Sequence, residues 1–280
     1  MVDVLSVVFQ RFGSQLHPAG DIKLSSEPGS SALVVGDENI NRALLFLTAI
    51  TAASEMGHKV LFFTQNQFQS LPVTVQDSST SLKPDSLKKI RFVYPKTLEE
   101  LLEDVASLHE LVTETAPLPS LLIIDGVEQY VCVQNRLQQD SQSTAAHIVA
   151  LLHDTAAFLK ARTEKSQQPP FRVIVSYQPE WEGRAGDVFA PDSILLVLER
   201  YLQVRCNLHK VINGGEVQNE WLLYLSGPGL HVDGYGNLEK CVRLQWRVVM
   251  QSNGALEFRP ESAPKDETSQ VQHSDGGNKT

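Results

Sequence analysis

The spacing of hydrophobic residues changes repeatedly along the chain, and each change marks a different structural element. Continuous apolar runs with the length of buried strands lie at residues 32–35, 59–63, 121–124 and 171–176, and an alternating run lies at 90–94. Apolar residues three and four positions apart, typical of helices, lie at residues 41–56, 97–111 and 143–162. Strands that alternate with helices predict an α/β fold with a mostly parallel central sheet covered on both faces.

The two ends of the chain depart from this alternation. Residues 1–31 begin with a helical pattern and continue into a linker, and this helix either packs on the core or docks on another chain. Beyond residue 190, apolar and alternating runs predict antiparallel strands at 195–208, 220–225, 241–250 and 256–258. The predicted core domain is therefore 32–258, and the polar segment 259–280 is expected to be a disordered tail.

Alternation in the run at residues 241–250 predicts which of its side chains are buried. Trp246 and Val248 fall on one face, whereas Arg243 and Arg247 fall on the other, so Trp246 is expected in the core. Trp221 lies near the start of another strand. The sequence leaves open whether its side chain is buried or is exposed as an anchor for a partner protein.

Composition and charge exclude several classes of protein. The 280 residues carry a net charge of −9, which repels nucleic acid at long range and requires a local patch for any DNA contact. No run of 18 apolar residues is present, so we expect no membrane segment. The three cysteines and eight histidines show no metal-binding spacing, and no G-x-S-x-G motif appears, which disfavours a metal site or an unrelated α/β hydrolase.

The first strand and helix flank a degenerate version of a phosphate-binding loop. A P-loop reads G-x-x-x-x-G-K-[ST] between a strand and a helix, and residues 36–43 read G-D-E-N-I-N-R-A at that location. Gly36 matches, but Asn41 replaces glycine and Arg42 replaces lysine. We expect a cost of about 1–2 kcal/mol if Asn41 adopts the glycine conformation. A carboxylate at position 37 or 38 would also repel a phosphate by roughly 4 kcal/mol.

The remaining parts of such a nucleotide site are incomplete. Asp125 ends an apolar strand, where it either holds a magnesium shell or caps the following turn. The second strand ends in Thr64-Gln65-Asn66-Gln67 without a carboxylate to orient water. We therefore expect no catalytic residue and no cofactor. The location of the loop would otherwise indicate ATP with Mg²⁺ as the ligand.

Several segments in a fixed order carry a family resemblance. After the degenerate loop they read L-K-K-I-R-F-V-Y-P at 87–95, P-S-L-L-I-I-D-G at 119–126, L-L-H-D-T-A-A at 151–157 and L-E-R-Y-L at 198–202. In these segments the chain resembles the SWIM-type zinc-finger-associated subunit of the metazoan Shu complex, a distant paralogue of the RecA-like recombinases. The resemblance covers about residues 32–258 and implies a RecA-like P-loop NTPase core.

The resemblance also implies a function and partners. It implies a nuclear heterodimer with a SWIM zinc-finger protein that supports RecA-like recombinase filaments on single-stranded DNA during homologous recombination. Gln178 matches the nucleotide-sensing glutamine that ends the fifth strand, and the following loop, which contains Arg184, matches a DNA-facing loop. A DNA-stimulated ATPase of the same fold, with Arg42 in place of the lysine, is the alternative.

A basic segment surrounds the strand predicted at 90–94. Within a chain of net charge −9, cationic residues cluster at Lys83, Lys88, Lys89, Arg91 and Lys96. They are candidates for phosphate contacts or else form a solvated, salt-bridged face. Alternation places Phe92 and Tyr94 opposite Arg91, so the aromatic rings are expected in the core rather than against bases.

Overall fold

The helices and strands of the computed structural model are numbered here in chain order. The described residues are 4–12, 31–68, 84–110, 118–132, 138–166, 169, 171–179, 192–213, 216–227, 245–251 and 255–260. The helices in these segments are α1 (Val4–Phe12), α2 (Glu38–Ser54), α3 (Pro84–Leu87), α4 (Leu98–Ser107), α5 (Glu128–Val131), α6 (Gln138–Ser166) and α7 (Ser193–Tyr201). The strands are β1 (Ala32–Val35), β2 (Val60–Thr64), β3 (Ile90–Val93), β4 (Leu121–Asp125), β5 (Arg172–Tyr177), β6 (Val204–Asn213), β7 (Glu216–Ser226), β8 (Gln245–Met250) and β9 (Leu256–Pro260).

All nine strands form one sheet in the order β3-β2-β4-β5-β1-β6-β7-β8-β9. The first six strands in this order are parallel, and β7, β8 and β9 continue the sheet in antiparallel fashion. The predicted combination of a parallel centre and antiparallel strands toward the C-terminus is confirmed. The parallel strands present their carboxyl ends at one edge of the sheet and their amino ends at the opposite edge.

Two apolar layers cover the sheet. On one face, α1 and α2 pack with a cluster that includes Phe62, Trp221 and Trp246. On the other face, α4 to α7 pack on a second cluster that includes Phe63 and Ile124. Burial of Trp246 confirms its predicted core position. Strands β1, β2, β4 and β5 are buried on both faces because their sequences are mostly apolar, as expected for parallel strands between helices.

The N-terminal helix packs on the core of its own chain. Val4, Leu5 and Val8 of α1 are fully buried, and the ring of Phe9 lies 4.7 Å from that of Trp246 and 5.8 Å from that of Phe258, measured between centroids. Of the two interpretations offered by the sequence, core packing is therefore the one found.

Several predicted boundaries and one predicted element were wrong. Residues 193–201 form helix α7, not the beginning of a strand, because the Asp192 side chain caps the helix by accepting from Ile194 N and Leu195 N, both at 3.0 Å. A short apolar run cannot by itself distinguish a strand from a buried helix. Helix α6 is longer than predicted, running from Gln138 to Ser166.

Some sequence predictions fall on residues outside the described segments. These are Lys83, Arg184, Arg243, the linker 17–30, the DNA-facing loop between 180 and 191, and the tail 261–280. Within the described segments, none of the helices is long and apolar enough to cross a membrane. The same segments contain no group of three His, Cys, Asp or Glu residues arranged to hold a metal ion.

Candidate functional site

The candidate site lies at the carboxyl edge of the sheet, where β1, β4 and β5 end beside the start of α2. Gly36 follows β1, and its backbone N–H donates to the carbonyl of Tyr177 at the end of β5. Asp125 ends β4, and Gln178 directly follows β5. Four of the predicted site residues, Gly36, Asn41, Arg42 and Asp125, are thus assembled at one place, and Gln178 borders it.

The loop predicted at residues 36–43 is almost entirely replaced by helix. Helix α2 begins at Glu38, three residues before the predicted start at Asn41. Asn41 does not adopt the glycine conformation considered from the sequence, since this residue is helical and carries no such strain. The physical reason is the sequence: Asp37 is a good N-cap and Glu38 is favourable at a helix start, while the glycine needed to turn the backbone is missing.

The carboxylate of Asp37 is engaged by the protein itself. Its Oδ1 accepts from Ile40 N at 3.4 Å, capping α2, and its Oδ2 accepts from the indole Nε1–H of Trp221 at 2.7 Å. Trp221 lies on β7, is only 3% exposed, and has the ammonium of Lys210 at 5.5 Å from its ring centroid. The helix N-terminus, which attracts anions, therefore has its own anion in place.

Asn41 fills the space beneath the start of the helix. Its Nδ2 donates to the carbonyl oxygens of Gly36 at 2.9 Å and Tyr177 at 3.3 Å, which joins α2 to the ends of β1 and β5. A Cβ atom on Gly36 would lie 2.8 Å from both Asn41 Oδ1 and Leu208 Cβ. Close packing, rather than an unusual backbone angle, is what requires glycine at position 36.

Arg42 reaches across the site to the ends of β2 and β4. Its Nε lies 3.6 Å from Asp125 Oδ2, its Nη2 donates to the carbonyl of Asn66, and its guanidinium carbon lies 4.5 Å from the ring centroid of Phe68. Asp125 also accepts from Thr64 Oγ1 at 3.1 Å. The side chain of Arg42 is 20% exposed and that of Asp125 is 5% exposed, so the ion pair is largely shielded from water.

A second carboxylate, Glu128, belongs to this site and was not predicted. Its Oε2 accepts from the backbone N–H of Gln178 at 3.0 Å. Burial raises the pKa of Glu128 to about 7, and hydrogen bonds from backbone N–H groups oppose the shift. Burial likewise raises the pKa of Asp125 to about 6, against the effect of Arg42. The sequence signal was present, since Glu128 follows the strand-ending Asp125 by three residues at the start of α5.

The predicted basic residues do not form one surface. Lys88 and Lys89 precede β3 at the amino edge of the sheet, and Lys88 Nζ lies 2.8 Å from Asp85 Oδ1. Lys96 follows β3, and its ammonium donates to the carbonyl of Gln65 at the carboxyl edge. At about 3.3 Å per residue, β3 and its flanking residues separate Lys89 from Lys96 by roughly 20 Å.

Arg91 and the two aromatic residues of this segment follow the predicted alternation. Arg91 is exposed. Burial and Glu103 raise the pKa of Asp104 on α4, and Arg91 partly opposes this rise. Phe92 packs on the core face, where its ring centroid lies 5.4 Å from that of Phe62 in a tilted arrangement and 6.4 Å from that of Tyr94 in a stacked one. The expected core role of Phe92 is confirmed.

Comparison with known proteins decides the family. The chain is 32% identical over 241 residues to ATPase SWSAP1 of Homo sapiens, which covers 83% of this chain and 90% of the human protein. The chain belongs to the SWSAP1 family. ATPase SWSAP1 of Mus musculus is 36% identical over 179 residues, covering 64% of this chain and 58% of the mouse protein. No model of a known protein family matches the sequence.

The fold of this SWSAP1-family chain is that of a recombinase. A crystal structure of the RadB recombinase superposes with a TM-score of 0.52 at 14% identity, covering 84% of this chain and 92% of that one. The resemblance and the RecA-like fold predicted from the sequence are both confirmed. The sequence comparison thus shows the family of this chain, and the structural comparison shows its fold.

Proposed function

We propose that this SWSAP1-family protein acts as a nucleotide-independent adaptor in homologous recombination. In this role it pairs with a SWIM-type zinc-finger protein in the nucleus and stabilises RecA-like recombinase filaments on single-stranded DNA.

The observation that carries the proposal is that the chain's own side chains bind one another at the candidate nucleotide site, above all Asp37 with Trp221 and Arg42 with Asp125.

The backbone at the start of α2 does not fit a triphosphate. A P-loop wraps phosphate oxygens with consecutive backbone N–H groups in a glycine-containing loop. Here Glu38 to Ala43 are helical, so the N–H groups beyond the first turn bond within the helix. The first turn is capped by Asp37, and no glycine lies between 37 and 43 to let the chain open.

The electrostatics of the site are also unfavourable to a polyanion. Asp37, Glu38, Asp125 and Glu128 lie around the start of α2, and Glu38 raises the pKa values of both Asp125 and Glu128 in addition to the larger effect of burial. Arg42 opposes them, but its guanidinium is already shared between Asp125 and Asn66. A triphosphate would have to displace these contacts and approach several carboxylates, each repelling it by a few kcal/mol.

Partner capture with and without nucleotide tests the proposal. The full chain, tagged and co-expressed with a SWIM zinc-finger protein, is captured in buffer with about 1 mM MgATP and in nucleotide-free buffer treated with apyrase. The proposal predicts equal recovery of the partner in both conditions. Recovery only with MgATP would contradict it, and so would no recovery in either.

A second candidate function is that of a DNA-stimulated ATPase. Both curated relatives are named ATPase, and Glu128 is a shielded carboxyl whose pKa of about 7 suits a general base. This function predicts phosphate release that depends on single-stranded DNA and is abolished in both Glu128→Gln and Asp125→Asn. The adaptor proposal predicts no phosphate release above a protein-free control from any of the three proteins.

A further inference from the structure

The amino edge of the sheet begins with a row of basic residues. Neighbouring strands are joined there by backbone hydrogen bonds from Val60 N to Lys89 O at 2.9 Å, from Ser120 N to Lys59 O at 2.9 Å and from Arg172 N to Ser120 O at 3.0 Å. Lys89, Lys59 and Ser120 therefore lie side by side, about 4.8 Å apart from strand to strand, and Arg172, which is in register with Leu121, lies one residue farther into the sheet. Two of the three positions in this row are cationic.

The lysines of this row are accessible to a ligand, whereas the arginine lies deeper. Lys59 and Lys88 are exposed and Lys89 is half-buried. Arg172 is only 5% exposed, but its charge reaches its surroundings, because it lowers the pKa of His58 in addition to the larger effect of burial. The row thus combines surface ammonium groups with a buried positive charge behind them.

The acidic residues in the described segments at this edge are fewer than the cations. Glu55 follows α2, Glu110 follows α4, and Asp85 is paired with Lys88. The carboxyl edge has the opposite balance, with Arg42 and Lys96 against a larger set of acids, namely Asp37, Glu38, Glu100, Asp125 and Glu128. In a chain of net charge −9, this excess of cations gives the described part of the amino edge a positive character.

We propose that the amino edge of the sheet, centred on Lys59 and Lys89, binds the phosphodiester backbone of a single-stranded nucleic acid. The inference rests on the proposed function, in which single-stranded DNA is a partner, and it locates that partner at the edge opposite the candidate nucleotide site. Ammonium groups on flexible stems contact phosphates without reading bases, so the binding is independent of sequence and decreases with salt.

A structural role for the same lysines makes a different prediction. The C-terminus of α2 lies at this edge with a partial negative charge, and no basic residue occupies its last turn. If Lys59 and Lys89 served only to compensate this helix end, their reversal would lower stability and leave nucleic-acid binding unchanged.

Two double variants with the same change in net charge separate these possibilities. Lys59→Glu/Lys89→Glu alters the amino edge, and the matched control Lys96→Glu/Lys210→Glu alters lysines located after β3 and over the Trp221 ring. Binding of each full-length protein to fluorescein-labelled oligo-dT and oligo-U of about 30 nucleotides is followed by anisotropy as salt rises from about 50 to 200 mM. Circular dichroism melting curves verify that each variant is folded.

The proposal predicts a loss of affinity for oligo-dT of roughly tenfold or more in Lys59→Glu/Lys89→Glu. It also predicts a decrease in the slope of log K against log salt of about 1.4, or about 0.7 for each lost phosphate contact. The control variant is expected to bind within about twofold of the wild type. Equal losses in both variants, or a larger loss in the control, would overturn the proposed site.

Two further outcomes separate this inference from the proposed function. If the wild-type protein fails to bind either oligonucleotide at low salt, the site is refuted, while nucleotide-independent capture of the SWIM partner is unaffected. If only oligo-U binding responds to the amino-edge variant, the polyanion is RNA, and the assignment to single-stranded DNA is refuted.

Discussion

Strand β4 and the first turn of α2 meet at the same edge of the sheet, yet different forces hold them in place. Leu121 to Ile124 in β4 are fully buried and apolar, so the strand is stabilised mainly by removal of its side chains from water. The start of α2 is held instead by polar contacts of Asp37, Asn41 and Arg42 with five different strands or strand ends. The fold and the site can therefore change independently.

Under the proposed function, this difference allows a recombinase fold to lose its ligand and keep its shape. In a nucleotide-binding P-loop, phosphates satisfy the N–H groups at the helix start, and a lysine and a magnesium ion neutralise the charge. Here Asp37 caps the helix, and Arg42 faces the strand-ending Asp125. Separate changes at the site test this difference, and the first is compared with a change confined to the core.

The largest effect is expected from separating Arg42 and Asp125. Arg42→Ala leaves a shielded carboxylate without its cation, which should lower the free energy of unfolding by about 2–3 kcal/mol, below the value for a fully buried pair because Arg42 is 20% exposed. Urea denaturation measures the change. Ile123→Val in β4 is a core reference expected to cost about 1 kcal/mol.

A double variant controls for the loss of packing by the arginine stem. Arg42→Ala/Asp125→Asn removes the charge together with its partner, so it should recover most of the stability lost in Arg42→Ala. A double variant as unstable as Arg42→Ala alone would mean that the ion pair is not the cause.

Gly36→Ala is expected to have the next largest effect. The added Cβ would lie 2.8 Å from Asn41 Oδ1 and from Leu208 Cβ, both on packed, buried side chains. Such overpacking should lower the free energy of unfolding by about 1–3 kcal/mol, equally with and without MgATP in the urea titration. An effect seen only with MgATP would instead assign Gly36 to nucleotide binding.

Trp221→Phe tests the link between α2 and the antiparallel strands. The variant keeps an aromatic ring but loses the N–H that donates to Asp37, which should cost about 1–2 kcal/mol. Asp37→Ser keeps a capping oxygen, and the double variant completes a thermodynamic cycle. Strictly additive single effects would show that the hydrogen bond contributes nothing.

The smallest effect concerns pH. Burial raises the pKa of Glu128 to about 7 in the folded protein, against an ordinary value near 4.5, so the folded state takes up the proton first as the solution is acidified. The contribution of Glu128 to stability should therefore rise, not fall, from pH 8 to pH 6, by about 1 kcal/mol.

Glu128→Gln isolates this contribution in urea titrations at the two pH values. Glutamine still accepts from Gln178 N, but it removes the proton uptake, so the variant should gain about 1 kcal/mol less than the wild type on acidification. His58 and His209, whose pKa values burial lowers, favour the unfolded state on acidification in both proteins, and they cancel in the comparison. Identical pH responses would contradict the assignment to Glu128.

The sequence predicted the sheet better than the site, for a physical reason. The parallel strands are continuous apolar runs, and each can be recognised from neighbouring residues alone. Helix α7 was missed because its apolar run is equally compatible with a strand, although the Asp192 cap was a usable signal.

The polar contacts of the site could not be predicted, because their partners lie far apart in the chain. Asp37 bonds to Trp221, and Arg42 faces Asp125; 184 and 83 positions separate the partners. The residue types identified Gly36, Asn41, Arg42 and Asp125 as a group. Only the fold reveals that Asp37 completes the helix start rather than simply repelling phosphate.

The most direct test of the central claim is the thermal unfolding of the full chain with and without MgATP. A ligand at 100 times its dissociation constant stabilises a protein by about 2.7 kcal/mol, so binding with a Kd near 10 μM would raise the Tm by several degrees at about 1 mM MgATP. The account predicts a shift smaller than about 1 °C. A rise of several degrees that disappears in Arg42→Ala would contradict it.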